Sequence, residues 1–111
     1  MYIPRDASGN PIPLRKQTIN GQDIPLPDPA ALGRPHTVIG GRISSTGEIY
    51  RQTATFPGGT WPSANGQSVP WSEVHWTTHG TPRFHTNPHQ HIFTFDFQHG
   101  FWLRNPPIPF Y

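Results

Sequence analysis

The sequence predicts a mainly β (or α+β) fold: a small twisted antiparallel sheet with a Pro-rich N-terminal arm and at most one or two short helices. Three observations carry this. First, 15 prolines and 11 glycines in 111 residues exclude a helical bundle or coiled coil, because proline inside a helix costs about 3 kcal/mol. Second, hydrophobic residues are only 32%, yet the chain holds seven Phe, four Trp and three Tyr. Large aromatic side chains must therefore fill much of a single modest core. Third, several segments after residue 35 alternate polar and apolar residues with the period of a half-buried strand.

The composition changes near residue 35. Residues 1–35 carry seven prolines (Pro4, Pro11, Pro13, Pro25, Pro27, Pro29 and Pro35) and neither Phe nor Trp. Such a stretch is expected to run extended, without internal hydrogen bonds, as an arm or linker lying across the domain. A single helical turn is expected at Asp28–Gly33, capped by Asp28, with Pro29 at its first position and Gly33 at its end. Residues 36–111 are expected to form one β-rich domain.

Within that domain His36–Ile43 reads as a strand, with a bulge expected at Gly40-Gly41. After a turn at Ser44–Gly47, Glu48–Phe56 alternates, with Tyr50, Gln52, Ala54 and Phe56 on one face. The two strands should form a hairpin. Pro57–Pro70 reads as a loop containing Trp61, Ser72–Thr78 as a third strand, and His79–Pro88 as a second loop. Gln90–Phe97 is the clearest strand, and Gln98–Gly100 turns it into Phe101–Arg104. The tail Asn105–Tyr111 holds three further prolines.

The chain has no cysteine, which excludes disulfides, thiolate metal ligands and a cysteine nucleophile. Charged residues are 13%, about half the usual share, which argues against a charge-driven disordered chain. No apolar run is long enough to span a bilayer, so no membrane partner is expected. The first twenty residues show no apolar core of a signal peptide, so export would need another carrier. The formal net charge is +2, and seven of the eight cations are Arg, Lys16 being the exception. Arg forks suit phosphate better than Lys does.

The chemistry-bearing segment is His79-Gly-Thr-Pro-Arg-Phe-His85-Thr-Asn-Pro-His89-Gln-His91, with four of the seven histidines. On a strand, residues at i and i+2 share a face. His89 and His91 would then share theirs with Phe93, Phe95 and Phe97, placing two imidazoles at the rim of an aromatic core where burial tunes their pKa.

Two chemistries want this layout. The leading expectation is metal-independent, histidine acid–base cleavage of RNA, with no cofactor. It needs a base for the 2′-hydroxyl, an acid for the leaving oxygen and a cation for the phosphate. His79, His85, His89 and His91 are its catalytic candidates, with Arg51 in support. Arg83 is a further candidate for holding the phosphate, and Trp61 and Trp71 for stacking on an unpaired base. The alternative is a metal-dependent nuclease or hydrolase with zinc or another divalent metal on His85, His89 and His91, which Glu73 or His75 could join. A third reading, of another class, is a non-catalytic structural or binding module, which the aromatic content and proline arms fit without any chemistry. On that reading the histidines are surface or capped core residues, as expected for His36 and His99 beside turns.

The pattern His79-Gly80, Pro82, His85, Pro88-His89-x-His91 resembles the C-terminal toxin domains of bacterial polymorphic toxins, in which a strand ending in Asp-His-Gly is followed by a Pro-His-x-His run; here Thr78 stands at the Asp position. The upstream Gly33-Arg-Pro-His-Thr-Val-Ile39 and Tyr50-Arg-Gln52 are similar to the start of such domains in Rhs and contact-dependent types. The resemblance covers roughly residues 33–92. It implies an antibacterial effector, delivered by a larger secreted parent protein into the cytoplasm of a target cell. It also implies nuclease (RNase) activity, RNA as substrate and a cognate immunity protein as partner.

Overall fold

The computed structural model describes residues 3–19, 21–44, 47–57, 63–64, 67–77 and 87–109. Among these the fold is mainly β, and its helical content is one short 3₁₀ turn. The strands are β1 (Lys16–Ile19), β2 (Gln22–Pro25), β3 (His36–Ile43), β4 (Ile49–Phe56), β5 (Ser63–Ala64), β6 (Gln67–Ser68), β7 (Ser72–His75), β8 (His89–Asp96), β9 (Phe101–Arg104) and β10 (Ile108–Pro109). The main sheet has six strands in the order β10-β8-β7-β4-β3, with β9 also pairing on β8. Every pairing within it is antiparallel. No helix among the described residues is long and apolar enough to cross a membrane.

The N-terminal arm departs from the expectation of an extended run without internal hydrogen bonds. β1 and β2 form a hairpin, registered from Lys16↔Pro25 to Ile19↔Gln22. Its sequence signal is Asn20-Gly21, a dipeptide suited to a tight turn, and Gly21 takes φ +77°. The arm also joins the core. Ile24 is fully buried with Val69, Phe93 and Trp102, and Phe95 packs against them. The helical turn expected near Asp28 is a 3₁₀ turn over Pro29–Ala31, with the Asp28 side chain accepting from Ala30 N–H.

The expected bulge at Gly40-Gly41 is absent. β3 and β4 pair without interruption from His36↔Phe56 to Ile43↔Ile49. The glycines serve close approach instead. A Cβ on Gly40 would lie 2.6 Å from the backbone nitrogen of Leu14, well inside contact distance. Beside it, Gly41 N–H donates to Ile12 O at 2.9 Å, and Gly41 O accepts from Leu14 N–H at 3.3 Å. The arm thus crosses the sheet edge where two residues lack side chains. A cleft of about 600 Å³ follows that edge, between Leu14, Leu26 and Pro27 on one side and Thr37 and Ile39 on the other, with no lining residue from β7 or β8.

The alternation expected in β4 is present: Tyr50, Gln52, Ala54 and Phe56 are buried, and the residues between them are more exposed. β7 is shorter than expected, ending at His75. The aromatic stripe of β8 is shorter too. Phe93 is buried, whereas Phe97 lies beyond the strand and is 89% exposed, so it is a surface residue touching Phe95 edge-on rather than core.

Candidate metal centre

The register of β4, β7 and β8 builds the site. Gln52 is opposite His75, and His75 is opposite His89. In the next row on the same face, Ala54 is opposite Glu73, and Glu73 is opposite His91. Because alternate residues share a face, Gln52, Glu73, His75, His89 and His91 form one polar island. It is buried: Gln52 and Glu73 are 1% exposed and His89 is 0%. The three imidazole rings lie 4.9–5.0 Å apart, centroid to centroid. One ring nitrogen from each falls within 4.8 Å of those of the other two. Three buried histidines are therefore close enough to bind one metal ion.

Each ring is oriented from behind. His89 Nδ1–H donates to Thr77 O at 2.9 Å, and His91 Nδ1–H donates to Asn105 O at 2.8 Å. A carbonyl can only accept, so in its neutral form each of these rings carries the proton on Nδ1 and the lone pair on Nε2. His75 is oriented the other way round, with Nε2–H donating to Glu73 Oε1 at 2.8 Å. In the neutral form of this ring the lone pair is on Nδ1. A backbone carbonyl or carboxylate holding the second ring nitrogen is the usual support of a metal-ligating histidine.

Glu73 gathers donors. Its Oε2 accepts from Gln52 Nε2 at 2.8 Å, and Arg104 Nε lies 2.6 Å from its Oε1. Burial acts to raise the Glu73 pKa, but the hydrogen bond and charge of His75 and the charge of Arg104 outweigh it and hold the carboxyl below its usual range. Arg104 also donates to the backbone carbonyl of Asp23, which ties the β1–β2 hairpin to the island. For His91 burial dominates. It pushes the pKa down to about 4 against the opposing pull of the Asn105 carbonyl, so this ring is neutral at pH 7. Burial likewise raises the Tyr50 pKa; its ring lies 5.9 Å from that of His75.

Of the residues singled out in the sequence, His89 and His91 meet as expected of them, on one face of β8. Their third partner is His75, one strand away. Arg51 does not face them. It alternates with Gln52 onto the opposite side of the sheet, where its guanidinium stacks 3.9 Å above Trp76. Trp71 is half exposed just before β7. His79, His85, Arg83 and Trp61 lie outside the described residues. His36 and His99 have local roles: His36 accepts from Asp28 N–H and stacks on Phe56, and His99 pairs with Asp96. Gln52 and Arg104 were not anticipated. The signal for Gln52 was in view, since a polar residue on the buried face of an alternating strand demands a polar partner.

Fold and donor set together define a small antiparallel β domain with a three-histidine cluster supported by one buried carboxylate. No known protein family, curated protein or solved structure matches the chain.

Proposed function

We propose that the chain is a divalent-metal-dependent hydrolase of the nuclease class, with His75, His89 and His91 holding the metal. The observation that carries this reading is the convergence of three buried imidazoles, each with one ring nitrogen hydrogen-bonded to an oxygen. A donor set of neutral imidazoles suits zinc, cobalt, nickel or copper better than magnesium or calcium, which prefer oxygen. Zinc at about 2.0–2.1 Å from each nitrogen sets donor–donor distances of roughly 3.3–3.5 Å. The rings would draw together from their present separation of up to 4.8 Å, a shift within reach of side-chain rotation. Three protein ligands leave the fourth tetrahedral position for water or substrate, as catalytic zinc sites do. A metal there would polarise a phosphoryl oxygen and acidify bound water.

The acid–base alternative needs an imidazole that is protonated near neutral pH. His91 is held neutral. The cation assigned to that scheme, Arg51, is on the other side of the sheet. Among the described residues, the donor set favours the metal-dependent reading over the acid–base one. RNA is the first substrate to test, in keeping with the effector and immunity-protein pairing that the histidine-run resemblance implies.

The test is cleavage of a labelled RNA by purified protein, before and after chelation, with metal content measured in parallel. The expected result is one metal per chain, loss of cleavage with chelator and recovery with zinc, cobalt or nickel. Cleavage that persists undiminished in chelator, or a chain that binds no divalent metal, overturns the proposal.

A further inference from the structure

We infer that Glu73 is the positioning residue of this centre: it fixes His75 as an Nδ1 ligand and supplies the negative charge that lets a divalent cation enter a nearly dry site. The inference rests on the metal-binding reading above and extends it to the residue that tunes affinity.

The other reading of Glu73 is a core ion pair with Arg104. Three observations weigh against that as its whole role. The carboxylate lies deeper than the cation, with a side-chain exposure of 0% against 24% for Arg104. A pair formed for its own sake would sit at the rim, where water offsets the desolvation of both charges. Next, Glu73 is two residues before His75 on the same strand face, and its Oε1 accepts the His75 Nε2–H. With Nε2 engaged by the carboxylate, Nδ1 is the nitrogen that a neutral His75 can offer to a metal. Lastly, Glu73 stands directly opposite His91 in the ladder, so its charge is felt by a second ligand as well as the first.

Three neutral imidazoles leave the +2 of a metal uncompensated. Glu73 is the buried anion of the island, and Arg104 takes part of its charge away. Removing the Glu73 charge should therefore weaken metal binding, whereas removing the Arg104 charge should strengthen it. A merely structural ion pair predicts the same direction for both changes, since either would loosen the site.

The experiment is titration of the full chain with cobalt and zinc, in competition with a chromophoric chelator at pH 7.5. Thermal melts of the metal-free proteins report folding. Glu73→Gln should lose about 10- to 100-fold in affinity, Glu73→Asp should recover part of that, and Arg104→Gln should gain several-fold. Long-range ¹H–¹⁵N spectra of the metal-free wild type should show His75 protonated on Nε2, with that preference lost in Glu73→Gln. Wild-type affinity in a folded Glu73→Gln overturns the inference while leaving the metal site standing. Should Glu73→Gln not fold, Arg104→Gln decides: tighter binding supports the inference, and unchanged or weaker binding overturns it. A wild type that binds neither metal removes the centre itself, a distinct outcome.

Discussion

His75 and His89 face each other across the β7–β8 ladder, their rings 4.9 Å apart, and His91 completes the triangle from the next row. Each ring is reached from a different anchor: a carboxylate, a carbonyl two residues beyond β7, and the carbonyl that follows β9.

Removing one corner should abolish metal binding. His75→Ala, His89→Ala and His91→Ala are each expected to lose stoichiometric cobalt in a direct titration. His89→Ala should also lower the stability of the metal-free protein by about 1–3 kcal/mol, because the Thr77 carbonyl would lose its buried donor. Urea unfolding measures this second effect.

The metal-free protein should become less stable as pH falls from about 6.5 to 4. His91 has a folded pKa of about 4 against an ordinary 6.5. In that interval the unfolded chain takes up a proton that the folded chain refuses. The stability is fully present above pH 6.5, is lost progressively on acidification, and amounts to at most about 3 kcal/mol. Glu73, also held low, adds a further loss below its ordinary 4.5. Denaturant melts across this range test the slope, and His91→Gln should flatten it between pH 4.5 and 6.5.

Gly40→Ala should detach the arm. The new methyl would meet the Leu14 backbone at 2.6–2.8 Å, an overpacking that costs about 1–3 kcal/mol. Amide exchange at Gly41, whose N–H is held by Ile12, should accelerate. By contrast Gly9, with nothing within 4 Å, should tolerate alanine at about the cost of its positive φ alone, roughly 1 kcal/mol.

Ile24→Ala tests whether the hairpin is core. A fully buried Ile packed on Val69, Phe93 and Trp102 should cost about 2–5 kcal/mol when truncated. A loss under about 0.5 kcal/mol would mean that the hairpin is merely draped on the surface.

Arg51→Ala should leave metal affinity unchanged, since its side chain stacks on Trp76 across the sheet from the histidines. A small loss of stability, about 0.5–2 kcal/mol, is expected from the stacking.

Much of the sheet was legible because β4 and β8 carry strong alternation. The pairing of His89 with His91 followed from the same period. His75 stood out less, because bringing it to His89 required the β7–β8 register, which no short-range pattern states. Arg51 was misplaced although the alternation of β4 already set it on the face opposite Gln52; that the Gln52 face is the one meeting the histidines follows only from the β4–β7 register. Proline content hid the β1–β2 hairpin, although Asn20-Gly21 marked its turn. The two glycines of β3 read locally as a bulge, whereas their reason is Leu14, more than twenty residues earlier in the chain.

Arg104 and Asn105 adjoin each other after all three histidines in chain order, yet one balances Glu73 and the other holds His91. During synthesis the ribosome delivers every ligand before it delivers these two supports. A nascent chain would thus carry imidazoles without their final alignment, and the centre matures only once the segment beyond β8 has folded back alongside it.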